Sequence, residues 1–209
     1  MVRVKICGIS TVDAALAAAE AGADAIGLVF APSRRQVTIA RAREIVETLP
    51  PFVSSVGVFV DEERARVEEI VAACGLDVVQ LHGNESPEFC AGMRVPVIKA
   101  IRVADASSLS GIGAYQVSAM LLDAAVPGVA GGSGQSFDWD LAAAVPRAVR
   151  IILSGGLTAE NVVDALRRVQ PFGVDVSSGV ETGEHKDPEK IRAFIGRVRD
   201  WDGVQRGSG

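Results

Sequence analysis

The chain is poor in cysteine and in aromatic residues. Its 209 residues include only three cysteines, Cys7, Cys74 and Cys90, and aromatic side chains make up 5%. An odd number of thiols does not support a disulfide framework, and their spacing matches no metal-binding motif. We therefore expect reduced cysteines in a cytoplasmic protein and no metal site.

The chain also lacks a basic segment and a long apolar run. Its net charge is −5, which excludes the electrostatic footprint of a nucleic-acid-binding protein. The longest alanine-rich stretch, residues 14–31, is interrupted by Glu20 and Asp24, so no membrane span is expected. The first five residues include the charged Arg3 and Lys5 and show no signal peptide. We expect neither nucleic acid nor membrane as a partner.

Short aliphatic runs alternate with helical patterns along the whole chain. Such runs are typical of strands that helices cover on both faces. Strands are predicted at residues 3–7, 25–30, 53–59, 77–81, 95–101, 119–123, 150–154 and 173–177. Helices are predicted at residues 11–21, 39–49, 62–74, 86–93, 138–145, 158–169 and 187–200, with Thr11, Asp61, Ser86, Asp138 and Thr158 as capping residues.

Eight strands with helical crossovers predict an α/β fold, a single (β/α)₈ TIM barrel. The connection at residues 102–118 is rich in Ser, Gly and Ala, so the fifth helix is expected to be weak or missing. An open doubly wound sheet is the alternative, but the chain shows no dinucleotide fingerprint. Residues 1–202 are expected to form the catalytic barrel and residues 203–209 a flexible C-terminal tail.

Two glycine-rich turns follow the last two predicted strands. They contain Gly155 and Gly156 in the first turn, and Ser177, Ser178 and Gly179 in the second. Neighbouring turns of this kind can direct backbone N–H groups at one anion, and the loops after strands seven and eight of a barrel often bind phosphate. The pair of turns therefore predicts a phosphate site.

Polar residues occupy strand positions that alternate with apolar ones. Because alternate side chains face opposite sides of a strand, this parity places several polar side chains inside the barrel. The set is Lys5, Cys7, Gln80, His82, Lys99, Asp123 and Asp175. Parity places Ile98 and Ala100 outside. Cys7, His82 and Asp123 end their strands at the face where barrel active sites lie, and the charge of Lys5 favours a Cys7 thiolate.

These segments together resemble the phosphoribosylanthranilate isomerase family, a barrel enzyme of tryptophan biosynthesis. The resemblance extends in order over nearly the whole chain. It rests on Lys5-Ile6-Cys7-Gly8-Ile9, Val79-Gln80-Leu81-His82-Gly83, Leu121-Leu122-Asp123, Gly131-Gly132-Ser133-Gly134, Leu153-Ser154-Gly155-Gly156-Leu157 and Val174-Asp175-Val176-Ser177-Ser178-Gly179-Val180-Glu181.

The resemblance implies an Amadori rearrangement without a cofactor. N-(5-phosphoribosyl)anthranilate, a small phosphosugar–anthranilate substrate, becomes 1-(o-carboxyphenylamino)-1-deoxyribulose 5-phosphate. By the family pattern Asp123 is the general acid and Cys7 the general base. Arg35 is expected to bind the anthranilate carboxylate, and Asp175 a sugar hydroxyl. The phosphate is expected to bind at Gly132, Ser133, Gly134, Gly155, Gly156, Ser177, Ser178 and Gly179.

Five alternatives stay open at this point. Arg34 rather than Arg35 could be the carboxylate ligand, and His82 could contact either the substrate or another site residue. The chain could be a monomer or a homodimer. The sibling isomerase of histidine biosynthesis performs the same chemistry, but its first strand carries an aspartate where this chain has Cys7. A non-catalytic phosphosugar-binding barrel would not need both Cys7 and Asp123.

Overall fold

Eight parallel strands close into a barrel in the computed structural model, which describes residues 1–124 and 138–207. The strands lie in sequence order, and the last pairs with the first. They are β1 (Arg3–Cys7), β2 (Ala25–Val29), β3 (Ser54–Phe59), β4 (Val78–Leu81), β5 (Val97–Val103), β6 (Ala119–Ala124), β7 (Ile151–Leu153) and β8 (Gly173–Val176). The predicted closed (β/α)₈ architecture is confirmed.

Helices cover the outside of the barrel. They are α1 (Val12–Glu20), α2 (Ile39–Thr48), α3 (Arg64–Cys74), α4 (Pro87–Ala91), α5 (Trp139–Ala143), α6 (Val162–Val169) and α7 (Pro188–Gly207). Between β5 and β6 the chain forms only two short 3₁₀ turns, Ala106–Leu109 and Ile112–Ala114, so the prediction of a weak fifth helix is confirmed. Within residues 1–124 and 138–207, no helix is long and apolar enough to cross a membrane.

Three of the predicted capping residues begin their helices as expected. The side chains of Thr11, Ser86 and Asp138 each accept a hydrogen bond from a backbone N–H in the first helical turn. Asp61 does not cap α3, because it adopts a φ of 50° and its carboxylate instead accepts hydrogen bonds from Asn84. Helix α6 begins after Asn161, later than predicted, since the Asn161 side chain accepts from the N–H of Thr158.

The C-terminal part of the chain differs from prediction in two ways. A two-stranded antiparallel hairpin, β9 (Glu181–Thr182) and β10 (His185–Lys186), precedes the last helix and was not expected. The predicted domain boundary at residue 202 falls inside α7, which continues through residue 207. Residues 208–209 lie outside the described part, so flexibility of the tail stays a prediction.

The apolar residues form two separate layers, one inside the barrel and one between strands and helices. The inner cluster contains Val56, Ile98, Ala100, Ala119, Leu121 and Ile152. The outer cluster contains the alternating residues of the same strands, including Val4, Ile6, Val79, Met120 and Val174. Parity therefore predicted the interior faces of β1, β4, β6 and β8 correctly.

The prediction for β5 was wrong, because Lys99 faces the helix layer while Ile98 and Ala100 face the interior. The Lys99 ammonium donates to the Glu85 carboxylate at 2.9 Å and to the carbonyl of Gly83 at 2.8 Å. Glu85 is itself buried. A lysine stem is long and apolar enough to cross the helix layer and reach a partner at the strand ends.

Candidate active site

Asp123 and His82 lie together at the carboxyl end of the barrel. Nε2 of His82 is 3.3 Å from Oδ2 of Asp123, and both side chains are largely buried. Oδ1 of Asp123 accepts a hydrogen bond from the N–H of Ala124 at 3.0 Å. The hydrogen bond from Ala124 orients the carboxyl group of Asp123 at the mouth of the barrel, where proton transfer to a ligand is possible.

The side chain of Gln80 contacts the imidazole of His82. Its Nε2 lies 2.9 Å from Nδ1 of His82. When the Gln80 amide donates to Nδ1, the proton of a neutral imidazole lies on Nε2 and faces Asp123. His82 therefore lies beside Asp123, and its predicted contact with the substrate stays a prediction.

Cys7 ends β1 on the other side of the mouth, directly above a buried ion pair. The Lys5 ammonium is 2.7 Å from Oδ1 of Asp175, and each side chain is 5% exposed. Although burial acts to lower it, the adjacent Asp175 carboxylate raises the pKa of Lys5 above its ordinary value. Lys5 and Asp175 therefore form a charged pair beneath the thiol at neutral pH.

Space for Cys7 depends on Gly27 in β2. A methyl group at residue 27 would lie 2.8 Å from the Cys7 sulfur and 3.1 Å from the Lys5 ammonium. Burial raises the pKa of the Cys7 thiol, and the positive charge of Lys5 opposes this rise without cancelling it. Burial and the charge of Lys5 therefore act in opposite directions on this thiol, and a Cys7 thiolate stays a prediction.

The two glycine-rich turns pack against each other and against β6. Gly155 and Gly156 both adopt positive φ angles, and a Cβ at residue 155 would lie 2.7 Å from the backbone nitrogen of Ala124. A Cβ on Gly179 would collide with the carbonyl oxygen of Leu157. Glycine is required at both positions by this close approach. The turns predicted to bind phosphate thus lie beside each other and beside Asp123.

The backbone of these turns offers candidate donors for an anion. Apart from bonds within the 3₁₀ turn at residues 178–180, no bond to a backbone carbonyl within the described residues involves the N–H groups of Gly155, Gly156, Ser178 and Gly179. Neighbouring N–H groups of such turns can form an anion-binding concavity. The third predicted phosphate segment, Gly132, Ser133 and Gly134, lies outside the described residues.

Arg35 lies closer to Cys7 than Arg34 does. Gly8, directly after Cys7, has a φ of 77°, and the Arg35 stem occupies the space where a side chain at residue 8 would lie. The Arg35 side chain is 13% exposed, whereas that of Arg34 is 40% exposed and extends toward Glu184. The geometry therefore favours Arg35 as the arginine of this site.

Two residues of the site had no role in the sequence-based prediction. Glu181 and Lys186, on the β9–β10 hairpin, form a buried ion pair with Nζ 2.6 Å from Oε1. Glu181 also binds both Arg34 and Arg35. The motif that includes Glu181 was recognised, but a two-residue strand has no periodicity that would indicate where its side chains point.

The site is thus organised for acid–base chemistry on a small anion. Within residues 1–124 and 138–207, no three His, Cys, Asp or Glu side chains are arranged to hold a metal ion. Glycine-rich turns after β7 and β8, together with a carboxyl group and a thiol at the strand ends, are the arrangement expected of a phosphosugar-converting enzyme of the TIM-barrel class.

Comparison with known proteins identifies the family. The family model for N-(5′-phosphoribosyl)anthranilate (PRA) isomerase matches residues 4–197. The N-(5′-phosphoribosyl)anthranilate isomerase of Pelobacter propionicus is 53% identical over 197 residues, which are 93% of this chain and 94% of the relative. The chain belongs to the phosphoribosylanthranilate isomerase family, an isomerase family of tryptophan biosynthesis, as the sequence predicted.

Solved structures agree with this assignment. A monomeric form generated from the dimeric phosphoribosylanthranilate isomerase of Thermotoga maritima is 40% identical, with a TM-score of 0.87, covering 96% of this chain and 100% of that one. A phosphoribosylanthranilate isomerase in complex with reduced 1-(o-carboxyphenylamino)-1-deoxyribulose 5-phosphate is 42% identical, with the same TM-score and coverage.

The contact of Gly179 with Leu157 leads to a testable prediction. Gly179→Ala should displace the second turn and raise the KM for a phosphosugar substrate at least about tenfold, because the N–H donors no longer converge. Gly113→Ala is the matched control, since a methyl group there meets no atom within 4 Å. Steady-state kinetics and thermal melting of both variants check this, and equal KM values would contradict the assigned phosphate site.

Proposed function

We propose that this chain catalyses the Amadori rearrangement of N-(5-phosphoribosyl)anthranilate with Asp123 as general acid and Cys7 as general base. The observation that carries the proposal is the placement of both groups at the strand ends, beside the paired glycine-rich turns. Ring opening needs a proton donor and removal of a carbon-bound proton needs an acceptor, so two separate groups are required.

The first step opens the sugar ring. Protonated Asp123 gives its proton to the furanose ring oxygen, and the C1–O bond breaks as the nitrogen lone pair forms a C1=N bond. The N–H of Ala124 donates to one carboxyl oxygen of Asp123, and His82 lies beside the other. The product of the step is a Schiff base that carries a free hydroxyl group.

The second step moves a proton from C2. The Cys7 thiolate takes this proton, the C2–H electrons form a C1=C2 bond, and the C1=N electrons return to nitrogen. The enolamine then tautomerises to the ketone, so no atom is gained or lost overall. Lys5 stabilises the thiolate by its charge, which partly offsets the cost of burying it.

The substrate is held at its two anionic ends. We propose that Arg35 binds the anthranilate carboxylate. The phosphate is bound by Gly155, Gly156, Ser177, Ser178 and Gly179. Gly132, Ser133 and Gly134, which lie outside the described residues, are proposed to bind it as well. We also propose that Asp175 binds a hydroxyl group of the sugar. Its Oδ1 already binds Lys5, and Ser154 donates weakly to Oδ2 at 3.4 Å, which leaves lone pairs for a further donor.

Free thiols and the pathway together support a cytoplasmic location. All three cysteines are unpaired and buried, as expected in a reducing compartment. We retain the cytoplasm as a proposal on that ground.

Replacement of Asp123 by asparagine tests its role as the general acid. Asp123→Asn should lower kcat by about 10²–10⁴-fold, since a positioned general acid contributes a factor of this size. Asp164→Asn, on the exposed side of α6, is the control with the same charge change. Fluorescence-monitored turnover of freshly generated phosphoribosylanthranilate is the measurement, and an active Asp123→Asn enzyme would remove the acid from the mechanism.

The raised pKa of Cys7 predicts the pH dependence of the reaction. Only the thiolate is a base, and its fraction rises about tenfold per pH unit below the pKa of the thiol. Because burial places this pKa above its ordinary value, kcat/KM should still be rising with pH at about pH 8. Cys7→Ser should fold normally and lose most turnover. A flat profile between about pH 6 and pH 8 would contradict the thiol as the base.

We further propose that the chain forms a homodimer through the amino-terminal face of the barrel. Phe52 is fully exposed there in a strained backbone conformation, with a φ of 75°, and Phe172 is 46% exposed. Both line a largely apolar cavity of about 490 Å³. A face with a projecting aromatic side chain beside an apolar cavity can pair with a copy of itself. The Thermotoga maritima relative is described as dimeric.

The dimer is tested by a charge on this face. Phe52→Glu should sediment as a monomer at micromolar concentration and keep its activity, because the active site lies at the opposite end of the barrel. Leu16→Glu, at an apolar position of α1 with 36% exposure, should leave the dimer intact. A wild-type protein that sediments as a monomer at every concentration would refute the proposal.

A further inference from the structure

One buried carboxylate, that of Glu181, binds three cationic side chains. Its Oε1 lies 2.7 Å from Nε of Arg35 and 2.6 Å from Nζ of Lys186. Its Oε2 lies 2.7 Å from Nη2 of Arg34 and 2.9 Å from Nη2 of Arg35. We call Arg34, Arg35, Glu181 and Lys186 the Glu181 cluster. Although burial acts to raise it, Arg35 and Lys186 lower the pKa of Glu181 to about 2.

The Glu181 cluster carries more positive than negative charge. Three cations share one carboxylate, and Lys186 is only 3% exposed. Burial lowers the pKa of Lys186, and Glu181 opposes this effect. An excess of positive charge in a partly buried place is costly without an anion. The cluster is therefore prepared for a further anionic group.

The geometry of Arg35 shows where that anion can bind. Glu181 occupies the edge of the guanidinium formed by Nε and Nη2. Nη1 donates to no other described residue, so the second edge of the guanidinium stays available. A guanidinium can bind a carboxylate on each edge, in the plane of the group. Because Glu181 binds the edge formed by Nε and Nη2, it fixes the direction in which the other edge of the Arg35 guanidinium points.

We propose that Glu181 is a positioning residue that fixes the plane of Arg35 and thereby sets the preference for a substrate with a carboxylate on its aromatic ring. This inference rests on the proposed function, in which Arg35 binds the anthranilate carboxylate. Glu181 itself does not touch the substrate. Its effect passes through Arg35, so it should depend on the presence of the substrate carboxylate.

Glu181 also connects Arg35, through Lys186, to the second glycine-rich turn. Lys186 donates to the carbonyl and the hydroxyl oxygen of Ser177, at 2.9 and 3.2 Å, and the Ser177 hydroxyl donates to the carbonyl of Cys7 at 3.0 Å. Lys186 and Arg35 share Oε1 of Glu181, so a movement of this carboxylate away from Arg35 would also disturb the buried ion pair with Lys186. Glu181 is therefore a fixed partner of Arg35 and not a competitor that the substrate displaces.

The test compares two substrates on one variant. Glu181→Gln keeps the shape of the side chain and removes its charge. The substrates are N-(5-phosphoribosyl)anthranilate and N-(5-phosphoribosyl)aniline, which lacks the carboxylate. We expect the KM for the anthranilate compound to rise at least about tenfold with kcat nearly unchanged, because the guanidinium loses its fixed orientation. The kinetics of the aniline compound should stay as in the wild type.

Control variants separate this effect from a general change of charge. Glu189→Gln, at the start of α7 with a side chain 89% exposed, should leave both substrates unaffected. In an Arg35→Gln background, Glu181→Gln should cause no further rise in KM, since the two residues act as one unit. Glu181→Asp, which keeps the charge, should give an intermediate KM and serves if Glu181→Gln does not fold.

Each other outcome contradicts the proposal. A lower KM for the anthranilate compound would make Glu181 a competitor of the substrate carboxylate. An equal loss with both substrates would make it a structural support of the hairpin. Inactivity of the wild-type enzyme on the anthranilate compound would instead refute the proposed function.

Discussion

The ion pair between Lys5 and Asp175 is the contact on which the active end of the barrel depends. It joins β1 to β8, the two strands whose pairing closes the sheet, and the two residues are directly paired in the register. A buried pair of this kind is stable only while both charges are present, because removal of one leaves the other unpaired in an apolar interior. Cys7 lies two residues further along β1, above this pair. The same ion pair therefore closes the barrel and positions the proposed base.

The position of Cys7 combines two opposing effects on its proton affinity. Burial keeps the thiol protonated, whereas the neighbouring ammonium of Lys5 favours the thiolate. A base with a high pKa is the stronger proton acceptor but is present in smaller amount, so the two effects partly cancel in the rate. Gly27 is part of this balance, because any larger residue there would separate the sulfur from Lys5.

Much of the fold and of the site could be predicted from the sequence, for identifiable reasons. The alternation of polar and apolar residues in β1, β4, β6 and β8 predicted which side chains face the interior, because successive side chains of a strand point to opposite sides. The failure at Lys99 has a physical cause: its charge suggested the polar interior, but its apolar stem allowed the ammonium to reach Glu85 through the helix layer. The Glu181 cluster was missed because it joins a short hairpin to a distant loop, and such contacts follow from tertiary packing alone.

The barrel mouth combines a carboxyl group with groups that can attract an anion. Asp123 and His82 lie beside the glycine-rich turns, and the Glu181 cluster adds positive charge. The whole chain nevertheless has a net charge of −5, so the attraction for an anion is local. A substrate with a phosphate at one end and a carboxylate at the other can satisfy both anionic ends in only one orientation. In the proposed function that orientation puts the central carbons of the substrate between Cys7 and Asp123, so recognition of the two ends would align the bonds that react.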